Sequence, residues 1–452
     1  MKYYNTRLPF FFLSLFLNLS CSPISHHYNQ VETLISKQDF EQADQVIEKN
    51  QKHYGPKNKL LYLMDRAMTL HLLGQFTESN QFLHQAEQFA ENLYTKSIVS
   101  ETGAFFTNDN TLPYEGEDFE RVMIHLISAL NYTYMKNLDE ALVEVRKIDH
   151  QLNLLNDRYD KKSIYKQDAF ARYLSGKLYE AKKEPNDALI AFRKAYEAYQ
   201  DDQHNYAIAI PVALKSDLLR LTQFLGLETE NSQYQEGFGQ THWLTQEEYQ
   251  KLGEVVFISL KGLSPIKEDF FITAPVPDGR GGIYILNIAM PRFIRRSSNI
   301  SYALVSVWNP KESFSEKTVT VQNISDIAIK NLEDRVGRIT TKAIARASSK
   351  FLLARGIRQM AGKDEEPLSS FLAELGTNLF SLFSEQSDKR SWRTLPGEIQ
   401  MAGVLVTPGQ YQIRVEYFNS FGKKVAQRNP SKIEVKAGEK VFLGARMVNS
   451  SE

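Results

Sequence analysis

From Tyr28 to about Leu225, apolar residues recur three and four places apart, a spacing that predicts a run of amphipathic helices. One pattern returns four times within that run: an apolar or aromatic residue, a small residue three places on, then further apolar positions one and two turns later. It reads Phe40, Ala43, Ile47; then Phe76, Ser79, Leu83, Ala86; then Leu138, Ala141, Val145, Ile148; and, behind Pro185, Ala188, Phe192, Ala195. Nine residues before each small position stands an apolar or aromatic residue of the preceding helix: Leu34, Leu70, Tyr132 and Tyr179. Beyond Trp243 the period becomes alternating, and Gly253 to Leu260, Gly282 to Ile288, Ser301 to Trp308 and Lys317 to Val321 read as strands. Pro265, Pro275, Pro277 and the Gly279 to Gly282 run punctuate them as turns; that run lacks the Lys-Ser/Thr and the helix of a phosphate loop. Helical spacing returns from Ile324 to about Ala361, and a second helix, opened by Pro367, runs to about Ser384 and is expected to pack on the first. Strands follow at about Glu398 to Val406, Gln410 to Phe418, Ser431 to Lys436 and Lys440 to Met447.

The fourfold pattern resembles the tetratricopeptide repeat, in which a small residue lets two antiparallel helices approach. The small positions lie 36, 62 and 47 residues apart, against about 34 in a regular array. The second gap therefore holds an insertion, between about Asn92 and Gly116. The expected fold is α+β: a tetratricopeptide-like helical solenoid over 28–242, then a β-sandwich-like domain over 243–323 and 387–452 that carries a helical insertion over 324–386.

Residues 1–20 read as a lipoprotein signal peptide and 21–27 as a lipidated linker. Lys2 and Arg7 precede an apolar segment, Leu8 to Leu19, that is shorter than the roughly 20 residues needed to span a bilayer. Leu17-Asn18-Leu19-Ser20-Cys21 resembles the lipobox of bacterial lipoproteins, with Asn18 where leucine is usual. Cys21 is the single cysteine of the chain, so no disulfide can contribute to stability. The lipobox resemblance implies a palmitate-bearing Cys21 in the cell envelope, and Ser22 after it points to the outer membrane, facing the periplasm. The 54 basic and 54 acidic residues cancel, leaving no global field to attract nucleic acid.

The stretch Tyr114-Glu115-Gly116-Glu117-Asp118-Phe119-Glu120-Arg121 gathers carboxylates at a helix start, with His125 farther along. Acidic groups there favour the unpaired backbone N–H groups of the first turn by several tenths of a kcal/mol. Glu117 also stands four residues before Arg121, the spacing of a helical ion pair. Helix initiation, a partner-binding patch and a divalent-cation or acid/base site all remain open for this stretch, and no His-Glu-x-x-His spacing backs the last. Together with Trp392, expected to anchor the chain as it re-enters the sheet, Tyr114, Glu115, Glu117, Asp118 and Arg121 form the candidate interaction residues.

The Tyr-Glu-Gly-Glu-x-Phe-Glu-Arg stretch, Ala129-Leu130-Asn131-Tyr132, Glu140 to Arg146 and Asp388 to Pro396 resemble an uncharacterised family of bacterial lipoproteins with helical repeats. That resemblance supplies no reaction. The expected function is a non-enzymatic, envelope-anchored scaffold, without cofactor or metal, that binds an envelope protein, peptide or polymer through its repeats and β-domain. The competing expectation is an envelope hydrolase or a sugar- or peptide-binding enzyme on the β-domain, but the chain has no Gly-x-Ser-x-Gly and no second cysteine.

Overall fold

The computed structural model describes residues 23–99, 112–158, 163–277, 283–337, 340–341 and 387–449. The signal segment with Cys21, residues 100–111 of the insertion after Asn92, the Gly-Arg-Gly-Gly run and the helix from Pro367 lie outside the described residues.

The helical half consists of five antiparallel hairpins: α1 (Pro23–Ser36) with α2 (Phe40–Lys49), α4 (Lys59–Leu72) with α5 (Phe76–Val99), α6 (Asp118–Tyr134) with α7 (Leu138–Arg158), α8 (Ala169–Ala181) with α9 (Pro185–Tyr206), and α10 (Val212–Phe224) with α11 (Glu228–Phe238). Two short helices, α3 (Gln51–Tyr54) and α12 (Gln246–Lys251), lie at its joints.

All five turns are built alike. Gln38, Gly74, Lys136, Lys183 and Gly226 each take a left-handed φ between 60° and 76°. The next residue donates its N–H to the carbonyl five positions back: Leu34, Leu70, Tyr132, Tyr179 and Thr222. This is the helix-ending motif that satisfies otherwise orphaned carbonyls. Those acceptors stand nine residues before Ala43, Ser79, Ala141, Ala188 and Asn231, so the small-residue pattern and the turn geometry mark the same repeat.

The close approach is visible atom by atom. Ser79 Oγ donates to Ala67 O at 2.7 Å, and Asn231 Nδ2 donates to Leu219 O at 2.7 Å, in each case across to the preceding helix. A Cβ on Gly176 of α8 would stand 2.2 Å from the Phe192 ring of α9, so glycine is required there.

The β half forms two four-stranded sheets. The strands are β1 (Gly253–Lys261), β2 (Ile266–Pro277), β3 (Ile283–Ile294), β4 (Tyr302–Trp308), β5 (Ser313–Lys317), β6 (Val319–Gln322), β7 (Glu398–Val406), β8 (Gly409–Phe418), β9 (Lys424–Val435) and β10 (Lys440–Met447). One sheet runs β10-β1-β7-β6 and the other β5-β4-β8-β9, while β2 and β3 form a separate hairpin. The predicted strand at Lys317 to Val321 is a corner. The chain leaves one sheet at Lys317 and enters the other at Val319, with Thr318 Oγ1 donating to Gln400 Oε1 and accepting from Ala303 N. Residues 324–337 are helical (α13), and the strands on either side of that segment, β6 and β7, are paired neighbours.

Val255, Phe257, Val305, Val404 and Val415 meet between the two sheets. The opposite side chains of β1, Val256, Ile258 and Leu260, join the core of the helices. The first sheet is thus buried on both faces, with the second sheet on one side and the first helices of the hairpins on the other.

Candidate functional site

The seam between helices and sheet holds a dense set of buried charged groups. A closed ring of six charges links α8, α10, β1 and β10. Lys177 Nζ lies 2.9 Å from Asp217 and 3.0 Å from Glu254. Arg220 reaches Asp217 at 2.8 Å and Glu180 at 2.5 Å, and Lys440 closes the ring by meeting Glu180 at 3.1 Å and Glu254. Tyr249 Oη donates to Glu254 at 2.5 Å, and its ring lies beneath the Arg220 guanidinium.

Lys177, Glu180 and Glu254 are held in their charged forms. Burial alone would raise the Glu180 carboxyl, but Lys440 and Arg220 bring it down to about 2. Burial opposes ionisation of Glu254 too, and Lys177 with Lys440 hold it well below the usual carboxylate range. Burial would depress Lys177, yet Asp217 and Glu254 hold it well above its ordinary value. Helical periodicity put Lys177 inside an apolar repeat helix without signalling its partners, because these stand 40 and 77 residues away along the chain.

The motif at the start of α6 builds a second cluster in the same seam. Gly116 takes a left-handed φ of 80° and turns the chain into the helix. Glu120 is fully buried: its Oε2 accepts from Tyr114 Oη at 2.6 Å and from Glu117 N at 3.0 Å, and its Oε1 accepts from Trp392 N at 2.6 Å. The ion partners of Glu117 are Lys267 of β2 and Arg335 of α13, which also reaches Asp118 at 3.3 Å. These partners of Glu117 come from the other half of the chain, beyond the reach of the i, i+4 spacing. Arg121 is buried on α6 and Glu115 half-buried before it.

Trp392, also fully buried, donates Nε1–H to Thr394 Oγ1 at 2.9 Å. Thr394 in turn donates to Asp65, which accepts from Tyr28 and Tyr54 at 2.8 and 2.9 Å. One hydrogen-bonded path therefore runs from Tyr114 through Glu120, Trp392 and Thr394 to Asp65, uniting the first three hairpins with the chain leading into β7. The structure gathers Tyr114, Glu117, Asp118 and Trp392 around intramolecular contacts.

The two glutamates differ sharply in their protonation. Glu117, which burial would raise, is brought down to about 2 by Lys267 and Arg335; burial and then the Glu117 charge push Glu120 up to about 7. Such a split is the signature of acid/base pairs. Here both Glu120 oxygens are occupied by protein donors, so a substrate has no path to them. Among the described residues, no three acidic, histidine or cysteine side chains converge as a metal site.

No protein-family model matches the sequence, and no curated protein matches it. Solved structures with similarity include MamA from Desulfovibrio magneticus RS-1, 13% identical over 48% of this chain and 92% of that one, with a TM-score of 0.29. BtubC from P. vanneervenii is 12% identical over 49% of this chain and 84% of its own, with a TM-score of 0.32. The Rap conjugation gene regulator of plasmid pLS20, in complex with the Phr* peptide, is 16% identical over 46% and 49%, with a TM-score of 0.28. The five equivalent turns and small positions of this chain define its class: an α+β protein with a tetratricopeptide-like helical part.

Proposed function

We propose that the chain is an envelope-anchored lipoprotein scaffold, tethered through Cys21, that holds another envelope protein or polymer on its outer surface. The observation that supports a scaffold is the state of the ring at the seam. A general acid or base works with a proton affinity near the operating pH, whereas Lys177, Glu180 and Glu254 are fixed as charges by direct pairing. Their chemistry is spent on docking the repeats to the sheet.

That docking moves the partner surface. The first helices, the default recruiting face of an open solenoid, are covered by β1, β6 and β10; α4 is buried from Leu60 to His71. The faces left for a partner are those of the second helices, the β2-β3 hairpin and the outer sheet, where Ile190, Phe271 and Phe421 respectively stand exposed. The anchor rests on the Leu8 to Leu19 segment and the lone thiol after it, and among the described residues no helix is long and apolar enough to cross a membrane.

Cys21→Ser is expected to abolish labelling by a fatty-acid analogue and to release the protein from the membrane fraction. Tight membrane association of the unlabelled variant would contradict the anchor. Crosslinking in intact cells through Phe271 or Phe421, replaced by a photoreactive residue, is expected to trap one specific partner. Specific trapping only through first-helix positions would contradict the outer-surface reading.

A further inference from the structure

Helix α9 turns one stripe inward: Ala188, Phe192, Ala195, Ala198, Tyr199, Asp202 and Tyr206. Asp202 is the acidic member of an otherwise apolar and aromatic stripe, and only 8% of it is exposed. Buried carboxylates are ordinarily paired or hydrogen-bonded. Asp65, Glu120, Asp168 and Glu254 obey that rule in this molecule. Among the described residues, Asp202 has no hydrogen-bond or ion-pair partner. One turn farther on, the buried Tyr206 hydroxyl is also without one.

Asp202 lines a cavity of about 360 Å³ walled by the end of α9, by the segment leading into α8 and by α13. The wall is mainly polar and acidic: Asp201 and Asn205 come from α9, Gln167 from the approach to α8, and Asp334 from α13. Lys166 also lines it, exposed to solvent, and makes no ion pair with any of these carboxylates. We infer that this cavity is a binding site for an organic cation whose ammonium or guanidinium group is received by Asp202, with Asp201 and Asp334 at the mouth.

An organic cation fits better than a metal ion. Among the described residues, no three acidic, histidine or cysteine side chains converge here as metal ligands, and the cavity has room for a chain of several carbon atoms. Burial, then the charges of Asp168 and Asp201, push the Asp202 carboxyl up to about 8. At neutral pH it is therefore mostly protonated, and capture of a cation must release that proton. The groups facing it are Tyr165, Lys166 and Asp168 from the approach to α8, Tyr199, Asp201 and Tyr206 from α9, and Asp334 from α13. The site is independent of the scaffold reading, and either can fail alone.

The test is calorimetric titration of the purified full-length protein with n-butylammonium and n-butylguanidinium, with calcium and potassium chloride as comparison salts. Saturable one-to-one binding of at least one organic cation is expected, weakened about tenfold or more by Asp202→Asn. Affinity should rise from pH 6.5 to pH 8.5, with proton release visible as a dependence on buffer ionisation enthalpy. The thermal midpoint of Asp202→Asn should be equal to or above that of the unsubstituted protein, because the carboxylate makes no bond that amide substitution breaks. The proposal is overturned by absent saturable binding, by equal binding to Asp202→Asn, by preference for calcium, or by a clear fall in that midpoint.

Discussion

The two faces of the β10-β1-β7-β6 sheet solve the same packing problem in different ways. Toward the second sheet, β1 presents Val255 and Phe257 to an interior of Val305, Val404, Ile413 and Val415. Toward the helices it presents Val256, Ile258 and Leu260, framed by Glu254 of the charge ring, while the path from Glu120 through Trp392 to Asp65 crosses the same seam. An apolar interface is non-directional and tolerates many arrangements of similar volume. A ring of charges and a hydrogen-bonded chain are satisfied in one arrangement and strongly penalised in others. The apolar face holds the sandwich together; the polar face fixes where on it the repeats sit.

Breaking the ring should have the largest effect. Lys177→Met removes a buried cation shared by Asp217 and Glu254 and should cost about 3 to 5 kcal/mol in denaturant unfolding. At the motif cluster, Glu117→Gln leaves Lys267 and Arg335 facing a neutral group, and about 3 kcal/mol is expected by the same measurement. That exceeds the several tenths of a kcal/mol of a simple helix-start charge, so a loss below 1 kcal/mol would show that the partners of Glu117 are solvated.

His71 sharpens the comparison through pH. Its Nδ1 pairs with Asn131 Oδ1 at 2.6 Å, and burial lowers it from 6.5 to about 4. A lowered folded value gives stability that is present above pH 6.5 and lost as pH falls through 4. Between pH 7 and pH 5 the protein should lose about 2 kcal/mol from this source. His71→Gln should flatten that part of the urea-midpoint profile; an unchanged slope would show that His71 is not the group responsible.

Smaller effects come from within the repeats. Ala188 is fully buried at the close approach of α8 and α9, and Ala188→Leu should cost about 1 to 3 kcal/mol by overpacking. An unchanged thermal midpoint would contradict the repeat register. At the other extreme, Lys251 and Glu247 pair on the exposed face of α12, and Lys251→Ala should leave the midpoint unchanged.

Local order was legible in the sequence because it depends on neighbours. The small positions at Ala43, Ser79, Ala141 and Ala188 all sit where second helices meet first helices, and most strands lie where alternation placed them. The fifth hairpin escaped because Asn231 occupies its small position and Glu228 its aromatic one; the unbroken series of five-back turns is its clear signal. β2 escaped because Pro275 and Pro277 read as punctuation, yet a two-stranded hairpin has free edges at which a missing N–H costs no ladder bond. β9 begins at Lys424, well before Ser431, and Pro430 is tolerated because β9 is an edge strand. At the candidate site, the residues of the Tyr114 to Arg121 stretch and Trp392 were visible as a group, whereas their partners were not. Lys267, Arg335 and the whole charge ring are set by which sheet face meets which helix, and a one-dimensional pattern does not carry that.

The central claim is that the polar seam joins repeats and sandwich into one cooperative body. Native-state hydrogen exchange of the α8 and β1 backbone amides, in the unsubstituted protein and in Lys177→Met, tests it most directly. The account predicts that the slowest amides of both elements open with the same free energy, and that Lys177→Met lowers both by the same amount. Slow β1 amides that keep their protection while those of α8 lose it would show two independently stable halves and contradict the account.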